Sequence, residues 1–111
     1  MPQQTNKQSE RLLGALGLCA RARALIFGTA MICEALRAKT PPFMVLEALD
    51  TSDGTHKRLS DKCSYYQTPH VRLAVTAEQL AHAVGKSATL AAVAVTNENF
   101  ARLIETQLRE E

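Results

Sequence analysis

The chain has no tryptophan, two tyrosines and three phenylalanines among 111 residues. That scarcity excludes an aromatic platform on which successive bases of a single strand could stack. Cysteine is equally sparse: Cys19, Cys33 and Cys63 are odd in number and far apart. They form neither a disulfide framework nor a Cys-x-x-Cys zinc pattern, and each falls in a helical stretch where a thiol serves as a small apolar group. No apolar run approaches the roughly 20 residues of a membrane span. The opening MPQQTNKQSE is polar and lacks the apolar core of an export signal. These absences lead us to expect one domain in a reducing cytoplasm, with residues 1–8 frayed and 9–111 folded around a single core.

Catalytic patterns are also missing. Gly14 and Gly17 lie inside a helix pattern, so they build no phosphate loop after a strand. His56, His70 and His82 show no metal-ligand spacing with one another or with the cysteines. Asp50, Ser52 and Asp53 follow a strand, and their types suit a turn and a helix cap. Cys33 lies near a helix start, which could activate a thiol, but its angular position puts it beside the core stripe. No nucleophile, base and orienting group come together. The expectation is a protein that is not an enzyme and has no cofactor, metal or membrane partner. An enzyme built on Asp50, Asp53 or Cys33 is the remote alternative.

What is present is an alternation. Apolar residues make up 46% of the chain and charged residues 22%, the balance of a globular domain with a real core. Leu12, Leu13, Leu16 and Cys19 recur at helical spacing, which predicts a helix over 9–22. ALIF at 24–27 reads as a short strand closed by Gly28, and a second helix follows from Thr29 to Ala38. In that helix Ile32, Ala35 and Leu36 share the inner stripe, Ala30, Glu34 and Arg37 face away, and Met31 flanks them. The TPP at 40–42 ends it.

FMVLEAL at 43–49 reads as a buried strand, and Ser52 or Asp53 caps a third helix that reaches Tyr66. HVRLAV at 70–75 is a third strand. Thr76 and Gln79 have the spacing of a capping box for a fourth helix, which stops at Gly85. LAAVAV at 90–95 is the most apolar strand and therefore the central one. Thr96 or Asn97 caps the last helix, with Phe100, Leu103, Ile104 and Leu108 turned inward. The order implies an α/β fold: a three-layer α/β/α sandwich, with a four-stranded sheet covered by helices on both faces.

Charge is small in total, +2, but uneven. Lys7, Arg11, Arg21, Arg23, Arg37 and Lys39 face only Glu10 and Glu34 in the first 39 residues, and the remainder is slightly acidic. A basic front of this kind permits a local anion-binding surface.

Several phrases, in order and at matching spacing, carry a resemblance over about residues 10–106. They are LLGALGLCARARALIFG, the Gly-led second helix, ALDTSD, KRLSDKCSYYQTP, LAHAVGK and AAVAVTNENFARLI. Together they resemble the kink-turn RNA-binding ribosomal-protein family, which includes archaeal proteins of the L-seven-Ae type and small bacterial YlxQ-like relatives. The resemblance implies a non-catalytic domain in which the start of the second helix enters a bent RNA stem and the loop after the fourth helix covers bases. In the family a Gly-Thr-Asn-Glu phrase opens that helix and a lysine follows one turn later. Here Gly28 and Thr29 match, but Ala30, Met31 and Glu34 stand at the Asn, Glu and Lys positions, and Arg23-Ala24 replaces an upstream Gly-Lys pair.

The resemblance therefore implies a ribosomal-protein-like RNA binder contacting structured RNA, ribosomal RNA among the candidates, through Gly28, Thr29, Arg21, Arg23, Arg37, Lys86 and Ser87, with Lys57 and Lys62 as lesser candidates. The three replacements argue against kink-turn specificity: Ala30 and Met31 remove two base-reading groups worth about 1–3 kcal/mol each, and Glu34 turns attraction for phosphate into repulsion. The alternative is a protein-interaction module, with Phe27, Ala30 and Met31 forming an apolar spot for a partner or a second copy at Met31.

Overall fold

The computed structural model describes residues 7–109. In chain order the elements are α1 (Lys7–Arg21), β1 (Leu25–Phe27), α2 (Thr29–Leu36), β2 (Met44–Glu47), α3 (Asp53–Tyr66), β3 (His70–Arg72), α4 (Ala77–Ala83), β4 (Ala92–Val95) and α5 (Glu98–Arg109). The sheet order is β1-β4-β2-β3. The most apolar strand, β4, is internal and antiparallel to both β1 and β2, while β2 and β3 run parallel.

Side-chain alternation along each strand decides the layers. Leu25, Phe27, Met44, Leu46, Val93 and Val95 point to one face and pack with Leu12, Leu16, Leu80 and Ile104 from α1, α4 and α5. Ile26, Val45, Ala92 and Ala94 point to the other, against Ile32 and Leu36 of α2 and Leu59 and Cys63 of α3. This is the expected α/β/α sandwich. All three cysteines are free and buried, in keeping with their reading as small apolar groups. Among the described residues no helix is long and apolar enough to cross a membrane.

Local chemistry sets most boundaries. Thr76 and Gln79 form the capping box, the Thr76 hydroxyl accepting from Gln79 N–H at 3.1 Å and the Gln79 amide oxygen accepting from Thr76 N–H at 2.9 Å. Ser52 caps α3 by accepting from Thr55 N–H at 3.2 Å, and Asn97 accepts from Phe100 N–H at 3.1 Å at the start of α5. Asp50 accepts from Ala77 N–H at 2.8 Å, a structural bond across the β2 end to α4.

Some elements differ in length from their expected spans. The first helix already includes Lys7 and Gln8; the rest of the segment expected to fray, 1–6, lies outside the described residues, as do 110 and 111. Helix α2 ends at Leu36 rather than Ala38, with Arg37 as its C-cap. Strand β3 stops at Arg72: Leu73 N–H still donates to Glu47 carbonyl at 2.7 Å, but the next bond slips by two residues, Leu49 N–H donating to Val75 carbonyl at 2.8 Å. The alternating pattern runs on because Leu73 and Val75 remain buried after the ladder ends.

Candidate functional site

Gly28 leads from β1 into α2. Its φ of 89° belongs to the region that glycine occupies without strain, and its N–H donates to Ala92 carbonyl at 3.2 Å. No side chain caps the start of α2. The first N–H groups of a helix lack intrahelical acceptors, so this end is open to an anion. Thr29 is half-buried there, while Ala30 and Met31 are exposed, Met31 at 62%. The first turn carries no acid.

Lys86, in the loop after α4, meets the last residue of β1. Its ammonium sits 4.4 Å from the centre of the Phe27 ring, a cation–π contact that anchors a positive charge beside Gly28. The same contact covers part of the apolar spot expected at Phe27, Ala30 and Met31. The loop is set by Gly85, φ 81°, and by Lys86 N–H donating to Ala81 carbonyl at 2.9 Å. Ser87 shares a depression with Lys86, His82 and Glu78. Arg21, at the end of α1, lines a neighbouring one with His82 and Gly85.

The structure does not bring every candidate to this place. Arg23 precedes β1, so the whole strand separates it from Gly28. It is exposed and holds a left-handed backbone, φ 58°. Arg37 lies at the far end of α2, 3.6 Å from Glu34. Lys57 pairs with Asp61 at 2.9 Å along α3, and Lys62 lies in a depression with Tyr65 and Tyr66. Those tyrosines divide as adjacent helical residues must: Tyr66 packs against the α2/α3 layer, and Tyr65 is exposed, edge-on to it at 4.8 Å between centroids.

A second constellation was not assembled by sequence reasoning. Glu47, the last residue of β2, is 0% exposed. His56 Nδ1 lies 2.9 and 2.8 Å from its two carboxylate oxygens, and His70 Nε2 lies 2.7 Å from Oε1. Arg72 Nε is 3.7 Å from Oε2, its guanidinium also donating to Leu49 carbonyl at 3.0 Å. Burial pushes the Glu47 carboxyl up, but the bonds from His56 and His70, and the charge those rings carry when protonated, outweigh it and hold the carboxyl below its ordinary value. The available signal was one acid inside an apolar strand, which demands a partner.

Comparisons with known proteins fall into line with this architecture. The Giardia lamblia 15.5kD RNA binding protein superposes with a TM-score of 0.74 at 16% identity, covering 97% of this chain and 90% of that one, which shows a shared fold. That fold is the L-seven-Ae type of α/β/α sandwich. A Bacillus halodurans protein of unknown function superposes with a TM-score of 0.82 at 30% identity, covering 90% and 98% of the two chains. The RNA-binding protein YlxQ of Bacillus subtilis (strain 168) is 35% identical over 86 residues, which is 78% of this chain and 83% of the relative. The chain belongs to the YlxQ family. No protein-family model matches it.

Proposed function

We propose that the protein binds structured RNA, ribosomal RNA among the candidates, without catalysis in the cytoplasm, and that it does so through the start of α2. The observation that carries this reading is the uncapped, Gly28-led helix start with Lys86 fixed beside it, in a chain whose relative YlxQ is named an RNA-binding protein. Helix N–H groups and the Lys86 ammonium suit phosphate oxygens. Arg21 and Ser87 extend the contact along the loop after α4, and Arg23 supplies charge at the other end of β1. Arg37 is left out, because it is held by Glu34 a helix length away.

Base reading is the weak element of this surface. Ala30 and Met31 offer no side-chain hydrogen bond to a base edge, and Glu34 repels phosphate. The expected behaviour is recognition by shape and charge, with little preference for one RNA sequence.

The test is a titration of a labelled kink-turn RNA and a matched straight duplex at two salt concentrations. Neutralising about three phosphates gives a slope of log affinity on log salt near −3, by analogy with duplex DNA. Equal, salt-sensitive binding to both RNAs is the expected result. A flat salt response, or no binding to either RNA, overturns the proposed contacts.

A second reading has one observation in its favour, the 62% exposure of Met31 beside Ala30. A self-associating or partner-binding spot at Met31 predicts a concentration-dependent sedimentation coefficient that Met31→Glu abolishes. A sedimentation coefficient independent of concentration removes the self-association form of that reading.

A further inference from the structure

The geometry points to a binding site for one first-row divalent cation of the zinc type, held by Glu47, His56 and His70. The three donor atoms lie within 4.8 Å of one another. They come from three elements, and the fold explains their meeting. The parallel register sets Val45 opposite His70 and Glu47 opposite Arg72, so Glu47 and His70 project to the same face of the sheet. Helix α3 covers that face and delivers His56 from its first turn, where His56 N–H donates to Ser52 carbonyl at 2.9 Å.

The distances fit a shared ion. With metal–ligand bonds near 2.0–2.2 Å, an imidazole nitrogen and a carboxylate oxygen on one centre sit roughly 3 Å apart. The nitrogen–oxygen separations of 2.7 to 2.9 Å need a small opening, and the donor set, whose atoms lie within 4.8 Å of one another, must draw together around the ion. The rings are tilted by 36° with centroids 5.8 Å apart, so they converge on the carboxylate without stacking on each other. Two imidazoles and a carboxylate suit zinc, cobalt or nickel, and suit magnesium or calcium poorly.

The site has one closed side and one open side. Glu47 is sealed in the α2/α3 layer, whereas the side chains of His56 and His70 are 39% and 15% exposed. An ion enters from the histidine side and keeps water there, as a site with three protein ligands does. Binding needs the lone pairs of His56 Nδ1 and His70 Nε2, so each ring exchanges its hydrogen bond to Glu47 for the ion and carries its proton on the far nitrogen. Cys63 lies in the same layer, but its thiol is pushed up to about 11, first by burial and then by the charges of Cys33 and Glu47. Its sulfur is not among the three donor atoms that converge. The opposing group is Arg72, whose guanidinium beside Oε2 repels a cation.

The experiment titrates the chelator-stripped, reduced protein with zinc in a calorimeter and with cobalt by visible absorption. One ion per chain at micromolar affinity is expected, without the thiolate-to-cobalt band in the near ultraviolet. Glu47→Gln, His56→Ala and His70→Ala should each weaken binding by at least about tenfold, with folding checked by circular dichroism in the absence of metal. Arg72→Gln should tighten it several-fold by removing the opposing charge. Cys63→Ala should leave it unchanged. Absence of one-to-one binding overturns the proposal, and so does binding that survives both histidine substitutions or depends on Cys33 or Cys63. None of these readouts involves RNA, so the two proposals stand or fall separately.

Discussion

The two faces of the sheet are built on different principles. The face under α1, α4 and α5 is filled with large aliphatic side chains, Leu16, Leu46, Leu80 and Ile104 among them, all 0% exposed. The face under α2 and α3 has small residues at its centre, Ala92 and Ala94, and a buried charge, Glu47, at its rim. The first face is held mainly by packing, which is insensitive to pH and to ions. The second depends on His56, His70 and Arg72 surrounding one carboxylate, so conditions can change its stability. The same layer also carries the open start of α2. Stability and response to the surroundings are therefore divided between the two sides of one sheet.

The largest break in that comparison is expected on the packed face. Leu16→Ala should destabilise the fold by about 2–5 kcal/mol, because the surrounding helices cannot close the cavity completely. Urea denaturation measures it, and the loss should be the same at pH 4 and pH 7. On the other face, acid is the sharper tool. Glu47 has a folded-state value below its ordinary value near 4.5. Its contribution is therefore present above the unfolded value and is lost as pH falls through the folded one. A stability–pH curve should drop below about pH 4.5, and Glu47→Gln should flatten that part of the curve. An unchanged curve in the variant would mean that other carboxylates cause the drop.

The next effects concern the start of α2. Replacing Ala30 by Asn, Met31 by Glu and Glu34 by Lys puts back the groups that the resemblance assigns to that helix. Two restored base-reading contacts at about 1–3 kcal/mol each should raise kink-turn affinity at least tenfold over a straight duplex. A gain that is equal for both RNAs would show that only charge had been restored. Lys86→Ala should weaken RNA binding modestly and reduce the salt slope by about one unit. The smallest effect is expected at Arg37, exposed and paired with Glu34. Arg37→Ala should change stability by less than about 0.5 kcal/mol and leave RNA affinity unchanged within error.

Much of the fold was legible because its signals are local. The Thr76–Gln79 box, the Ser52 and Asn97 caps and the stops at Gly28 and Gly85 each depend on residues within a turn of one another. The strand ends were less legible, since Leu73 and Val75 keep the apolar pattern after the regular pairing of β3 with β2 has ended. The candidate site divides in the same way. Gly28 and Thr29 could be read from a phrase, but Lys86 meets Phe27 only because the loop after α4 folds back over β1. Glu47 is separated by 9 residues from His56 and by 23 from His70. No spacing rule joins a strand, a helix and a second strand; only the parallel register and the placement of α3 do.

The turn before β1 has a consequence of its own. Arg23 occupies a left-handed backbone conformation, φ 58°, that glycine would adopt with less strain. Such a conformation costs about 1 kcal/mol or more for a residue with a side chain. Arg23→Gly should relax the turn and remove an exposed cation in the same step, so higher melting temperature and lower RNA affinity should arrive together. The turn is then a small stability–activity trade-off, in which the chain tolerates a strained hinge to keep a positive charge at the edge of its basic front.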